Sequence, residues 1–359
     1  MYLFLSGALA IQLVQYKSKR CRPVLGVKAE AATKADLIPL GSTDLRVSRL
    51  GIGTLQWGDP QCGFGAQYDE AQLAEVFKAA VEGGVNFFDT AEVYGYQGIK
   101  SNSGSEQIVG RCRQRHDASS SSSSSSSQPL VVGTKFFTVP WTNALVGGGF
   151  RLGRQSMIAA LRASLARLGT DRVDLYQVHF PFPAFSQEVL SDGLAEAVDL
   201  GLTTAVGVCN YNAEQLEKIH GLLGAKGVPL ATNQVKYSIL ERGPEASGLL
   251  AKCRELGIQL VAHSPLEQGL LTSKYVEGGA GAKADSVRGL LKMMQLIGTF
   301  SGGKTVTQVA LNYLMQKGAI PIPGCKTVAQ AQEHVGALGW ALEENEIAMI
   351  DEKADFVKA

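Results

Sequence analysis

The 359-residue chain is 45% apolar and carries 34 basic against 33 acidic side chains, a formal net charge of +1. That near-neutrality excludes the basic footprint of a nucleic-acid binder and the charge block of an acidic tail. The six cysteines (Cys21, Cys62, Cys112, Cys209, Cys253, Cys325) form no Cys-x-x-Cys pair and have no histidine at ligand spacing, so reduced thiols are expected, with no metal site and no disulfide framework.

Up to Ala29 there is no acidic residue, whereas Lys17, Lys19, Arg20, Arg22 and Lys28 are basic. An acid-poor, basic leader of this kind resembles an organelle transit peptide. The apolar start over residues 1–14 is too short to span a membrane comfortably. Residues 1–35 are therefore expected to be a disordered leader with a chloroplast address, a mitochondrial or cytoplasmic location being the alternative. Residues 36–359 are expected to be one globular unit, which suits the roughly 250 residues or more of an α/β barrel.

Within that unit, residues 37–50 read as a β-hairpin around a turn at Gly41–Asp44. A short strand at 51–57 and a glycine-rich loop precede a helix over 71–82, apolar at Leu73, Val76, Phe77 and Ala80. The strand 85–89 ends on Asp89, with Tyr94 on the loop beyond it. A short helix over 105–113 leads into the serine run 119–127, which cannot bury a core; a disordered insertion is expected over 117–128. Strand and helix then alternate, with strands near 129–135, 173–179, 204–210, 231–237, 258–264 and 319–322. The helices between and after them lie near 155–168, 188–200, 213–223, 247–256, 306–316, 328–338 and 343–354. Eight apolar strands joined by crossover helices predict a (β/α)8 TIM barrel with an N-terminal β-hairpin. A doubly wound open sheet is the alternative, but no Gly-x-Gly-x-x-Gly opens a helix after an early strand.

Asp89, Lys135, His179, Asn210, Gln234 and Ser264 each sit at or just past the carboxyl end of a strand, and in a barrel those ends converge on one face. Tyr94 is a poor acid at neutral pH unless a cation lies beside it. Lys135 supplies that cation, lowering the phenol's pKa, while Asp89 keeps Lys135 charged. His179 can orient a carbonyl oxygen or relay a proton. Two other readings of the same residues stand beside this one: a structural Asp89–Lys135 ion pair, or Schiff-base chemistry with Lys135 as nucleophile.

The segments Gly84-Val-Asn-Phe-Phe-Asp-Thr-Ala-Glu-Val-Tyr-Gly95, Val132-Gly-Thr-Lys135 and Asp174-Leu-Tyr-Gln-Val-His179 closely resemble, in this order, signatures of the aldo-keto reductases, in particular their plant and algal plastid branch, which includes pyridoxal reductases. The resemblance implies an NADPH-dependent barrel enzyme reducing small-molecule aldehydes or ketones, with Asp89, Tyr94, Lys135 and His179 as catalytic tetrad and Tyr94 as proton donor. It implies that Asn210 and Gln234 hold the nicotinamide carboxamide, with Cys209 where a serine is usual. It further implies a pyrophosphate loop over His263, Ser264, Pro265 and Leu266, with His263 where a tyrosine normally stacks on the nicotinamide. Lys326 and Thr327 are expected at the 2′-phosphate, and Gln330 and Glu333 at the phosphate and adenine, while His334 departs from the usual asparagine. Trp57, Phe136, Trp141 and Phe180 are expected to line an apolar substrate slot. A monomer or weak homo-oligomer without nucleic-acid or membrane partners is expected. Some relatives serve as nucleotide-binding regulatory modules with little turnover, and that is the second functional reading.

Overall fold

The computed structural model describes residues 37–120, 128–142, 146, 150–276 and 282–358. The expected leader, 1–35, lies outside the described residues. Strands β1 (Ile38–Pro39) and β2 (Arg46–Val47) form the antiparallel hairpin read from the sequence. Eight parallel strands follow: β3 (Gly51–Gly53), β4 (Phe87–Asp89), β5 (Val131–Phe136), β6 (Val173–Val178), β7 (Thr203–Cys209), β8 (Leu230–Lys236), β9 (Gln259–His263) and β10 (Ile320–Pro321). Each pairs with its sequence neighbour in one eight-stranded sheet. The two ends of the sheet meet: Gly53 N donates to Pro323 O at 3.1 Å, and Gly53 bridges Gly324 in parallel. The result is a nearly closed (β/α)8 barrel.

The helices are α1 (Glu70–Glu82), α2 (Ser105–Ser120), α3 (Gly153–Leu168), α4 (Gln187–Asp199), α5 (Ala213–Gly224), α6 (Gly243–Ala246), α7 (Leu249–Glu255), α8 (Ala282–Phe300), α9 (Val306–Gln316), α10 (Val328–Val335) and α11 (Glu344–Lys358). Local chemistry sets their starts. Asp69, Asn212 and Thr305 each cap a helix whose third residue is glutamine, and the glutamine side chain returns a bond to the cap, a reciprocal capping box. Two boundaries differ from the sequence reading. The helix expected over 247–256 is α7, entered at Gly248 with φ 74°, and the short α6 lies ahead of it in a stretch not expected to be helical. Helix α2 runs through Ser120, into the segment expected as an insertion from residue 117; of that segment, 121–127 lie outside the described residues.

Strand alternation divides the core in two. Outward residues such as Phe88, Val132, Tyr176 and Val206 pack under the helices. Inward residues Phe87, Val131, Leu175, Ala205, Ala231, Val261 and Ile320 fill the amino-terminal end of the barrel, where the hairpin's Leu40 and Val47 close it as a plug. One step further along the strands, the inward positions become polar. Between β7 and β8 the register slips, so that Val206 pairs with Leu230 but Gly207 with Thr232, and Ala231 is the extra residue of a bulge. The bulge turns Thr232 and Gln234 inward, where both side chains bond to other inward residues.

Gly41 is the tight point of the plug. Its φ is +60°, and a Cβ there would stand 2.3 Å from Ala231 O. Gly41→Ala should cost about 2–4 kcal/mol through strain and backbone displacement, read as a shift in the urea unfolding midpoint. A midpoint equal to that of the wild type would show that the plug tolerates the displacement.

Candidate active site

The site stands on the polar layer above the apolar plug. Asp89, Lys135 and Gln177, from neighbouring strands β4, β5 and β6, all point inward and are almost wholly buried. Lys135 Nζ donates to Asp89 Oδ2 at 2.5 Å, to Thr90 O at 2.9 Å and to Tyr94 Oη at 3.3 Å. The other carboxylate oxygen, Asp89 Oδ1, accepts from Gln234 Nε2 at 2.8 Å and from Gln177 Nε2 at 3.1 Å. Asp89 is thus a hub of three donors, and Lys135 connects it to the phenol.

Above this layer, the Tyr94 and His179 rings meet edge to face, centroids 5.7 Å apart. Asn210 Nδ2 donates to His179 O at 3.1 Å, and Asn210 Oδ1 faces His263 Nε2 at 3.4 Å. Asn210 and Ser264 adopt left-handed backbone, φ 61° and 55°, as do Glu267 and Gln268 just beyond. Such non-glycine conformations carry strain and collect at ligand clamps. Asp89, Tyr94, Lys135, His179, Asn210, Gln234 and His263 are therefore brought together on one face of the barrel.

Electrostatics refine the sequence reading. Burial pushes the Tyr94 phenol up from its ordinary value; Lys135 pulls it back and Asp89 pushes it further up, and burial wins. The lowered phenol expected from the sequence is corrected on this point: the cation is in place, but the dry surroundings outweigh it. Burial works to neutralise Lys135 as well, yet Asp89, with Tyr94 and Cys209, more than offsets this and holds the ammonium above its usual range. A lysine kept so firmly protonated, and bound to three oxygens, is a poor Schiff-base nucleophile. Burial, then Lys135 and His263, hold His179 well below 6.5, so the imidazole is neutral at physiological pH, with its Nδ1 buried and lacking a protein partner. His263 is lowered to about 4, mainly by burial.

The residues expected at the dinucleotide lie in several places. Cys209 is buried with its Sγ 3.9 Å from Gln177 Oε1. Gln234, expected to meet a carboxamide, donates through Nε2 to Asp89. Pro265 and Leu266 are buried and Ser264 is exposed. At the other end, Thr327 caps α10 by accepting from Gln330 N, while Gln330 Oε1 accepts from Lys326 N at 2.8 Å. Lys326 Nζ reaches Cys62 O at 3.2 Å across the glycine-rich loop. Glu333 Oε1 accepts from Thr305 Oγ1 at 2.8 Å, bracing the start of α9.

The four aromatics expected at a slot divide by burial: Trp57 and Phe136 are inaccessible, and Trp141 and Phe180 are not. Trp57 has no exposed surface and donates its indole N–H to Cys325 O at 3.0 Å; Phe136 is likewise fully buried, against Phe185 and under the Arg151 guanidinium. Phe136 follows inward Lys135 on the strand and so must face the helix layer. Phe137, one residue on, meets His179 at 5.3 Å and Phe180 at 5.0 Å; Phe182 and the 61%-exposed Trp141 continue the row. Sequence reasoning missed Phe137, and it missed the buried Glu92–Arg151 pair. Glu92 accepts two bonds from Arg151 at 2.6 and 2.8 Å and one from Phe137 N at 2.6 Å. It missed Gln177 too, although a polar residue two before His179 on an apolar strand was the available signal.

His334 is buried on α10, lowered to about 4 by burial, and its Nδ1 has no protein partner. Its folded pKa lies below the ordinary 6.5, so the unfolded chain takes up the proton first. Stability is whole above about pH 6.5 and is lost as the pH falls towards 4, by about 3 kcal/mol for this group. His334→Asn should flatten that acid slope in thermal-melting curves; an unchanged slope would assign the acid lability to other groups.

The aldo/keto reductase family model matches residues 49–355. The chloroplastic pyridoxal reductase of Arabidopsis thaliana is 38% identical over 314 residues, 84% of this chain and 82% of that protein. The L-glyceraldehyde 3-phosphate reductase of Escherichia coli strain K12 is 28% identical over 331 residues, 87% of this chain and 90% of the relative. Among solved structures, a thermostable aldo-keto reductase crystallised with the inhibitor epalrestat superposes with a TM-score of 0.68 at 28% identity, covering 89% of this chain and 99% of its own. A match running from just ahead of the first barrel strand almost to the end of the last helix makes this chain a member of the aldo/keto reductase family, the oxidoreductases that reduce carbonyl groups.

Proposed function

We propose that the protein is an NADPH-dependent reductase of small-molecule aldehydes or ketones, with Tyr94 as the proton donor. The observation that carries this reading is the unbroken line from Asp89 through Lys135 to Tyr94, 2.5 and 3.3 Å, ending beneath the His179 ring.

A carbonyl oxygen seated between Tyr94 Oη and the imidazole of His179 receives a hydrogen bond from each. The phenol donates its proton to that oxygen as charge develops on it. The neighbouring ammonium of Lys135 stabilises the phenolate left behind, in a site dry enough for the charge to act strongly. Neutral His179 orients the oxygen without competing for the proton. The phenol's raised pKa keeps it protonated through neutral pH, so the rate of reduction should stay level there and fall in alkali as Tyr94 ionises.

The residues present fit a phosphorylated dinucleotide. Lys326 and the capped start of α10 offer a charge and helix N–H groups to a phosphate, while exposed Asn210 and the left-handed backbone at Ser264 line the catalytic end. When bound, the reduced nicotinamide supplies the hydride that this chain lacks. Similarity to a reductase named as chloroplastic, with the acid-poor leader, supports a plastid address. The same similarity makes pyridoxal the first carbonyl to try.

Turnover is followed as loss of NADPH absorbance with a panel of aldehydes that includes pyridoxal. Tyr94→Phe should lower kcat by about 10²–10⁴-fold, the range for a missing general acid, and leave NADPH binding intact by fluorescence titration. Lys326→Met should weaken NADPH about tenfold while leaving NADH nearly untouched, as loss of one charge-assisted phosphate contact predicts. Tight NADPH binding with no turnover of any aldehyde would overturn the reductase reading.

A further inference from the structure

Gln177 takes part in none of the steps above, yet its side chain lies across the barrel among the groups that do. On β6 it pairs in register with Lys135 on one side and Gly207 on the other. Gly207 makes the room: a Cβ there would stand 2.1 Å from Thr232 Oγ1 and 3.0 Å from Gln177 Cγ. The amide can therefore reach past its neighbouring strand to Asp89 on β4. It has no exposed surface.

Both ends of the amide are engaged, and only one orientation serves both. Its nitrogen donates to Asp89 Oδ1 at 3.1 Å, and its oxygen accepts from Thr232 Oγ1 at 3.3 Å with Cys209 Sγ at 3.9 Å. A flipped amide would set its oxygen against the carboxylate and lose the bond to Asp89, although a hydroxyl can accept as well as donate. The bulge at Ala231 is what turns Thr232 to this position. Gln234 Nε2 makes the second bond to the same oxygen at 2.8 Å. Two amides thus grip Asp89 Oδ1, leaving Oδ2 turned to Lys135.

We propose that Gln177 is a positioning residue for the reductase: oriented by Thr232 and working with Gln234, its amide fixes the rotation of the Asp89 carboxylate that holds Lys135 against Tyr94. This rests on the reductase reading above. Gln177 acts through Asp89, so its effect on the rate exists only while Asp89 can accept from it. A glutamine that merely filled space in the barrel would matter equally whatever stood at position 89.

The test is a double-mutant cycle in the full chain, with pyridoxal and NADPH as probes. Wild type, Gln177→Met, Asp89→Asn and the double variant are compared, with Tyr94→Phe as reference. Gln177→Met should lower kcat about tenfold, the loss of one hydrogen bond to a charged group, with KM for both substrates within about twofold. On the Asp89→Asn background the same change should lower kcat no further. Equal losses on both backgrounds, a loss confined to KM, or no loss on the wild type would each overturn the inference. Should Gln177→Met fail to fold, Thr232→Val asks the same question: a drop of about threefold on the wild type and none on Asp89→Asn supports the inference, and equal drops overturn it. Turnover that Tyr94→Phe abolishes shows that the reductase reading stands whatever the cycle returns, and a wild type without turnover sinks both.

Discussion

A lysine and an aspartate without solvent, 2.5 Å apart at the centre of a barrel, are the constraint around which the rest of this structure is arranged. Two buried charges are costly unless each is well paired and its remaining bonding capacity is used. Here the capacity is used on both sides: Thr90 O and Tyr94 Oη take further ammonium protons, and two glutamine amides take the second carboxylate oxygen. Breaking the pair by removing one partner would leave the other charge stranded. The polar layer is for that reason a unit, not a collection of separate contacts.

Two further features serve that unit. Below it, the hairpin plug and the inward aliphatic residues keep water out of the amino-terminal end of the barrel, which preserves the low polarity that makes a cation beside a phenol effective. Above it, the Glu92–Arg151 pair, itself buried, joins the loop that carries Tyr94 to the segment after β5 and holds both the N–H and the C=O of Phe137. Tyr94 and the aromatic ring beside His179 are thereby set by one clamp.

Much of this was legible in the sequence. The alternation of apolar strands and helices gave the barrel, and the polar strand ends Asp89, Lys135, His179 and Asn210 meet where a parallel barrel must bring them. What escaped depended on three-dimensional placement. The inward or outward aim of Phe136 and Phe137 turns on a single residue of strand length, and it is Phe137 that lies beside His179. The aim of Gln234 follows from a bulge on β8, four strands from the β4 that carries Asp89, and bulges leave little trace in sequence. The Tyr94 phenol shows a different limit: a neighbouring cation can be read from the chain, but the burial that opposes it cannot be sized until the fold is known.

The connection from the end of α2 at Ser120 to the start of β5 at Val131 joins a helix end to the amino-terminal edge of a strand. In a parallel barrel that edge is opposite the catalytic face. A connection at that edge can change length without re-aiming Asp89, Lys135 or His179. An insertion in a connection at that edge would leave the opposite face in place, whereas one in the connection after β4 or β5 would displace Tyr94 or the Glu92–Arg151 clamp. The barrel in this way separates the connections free to vary in length from those that are not.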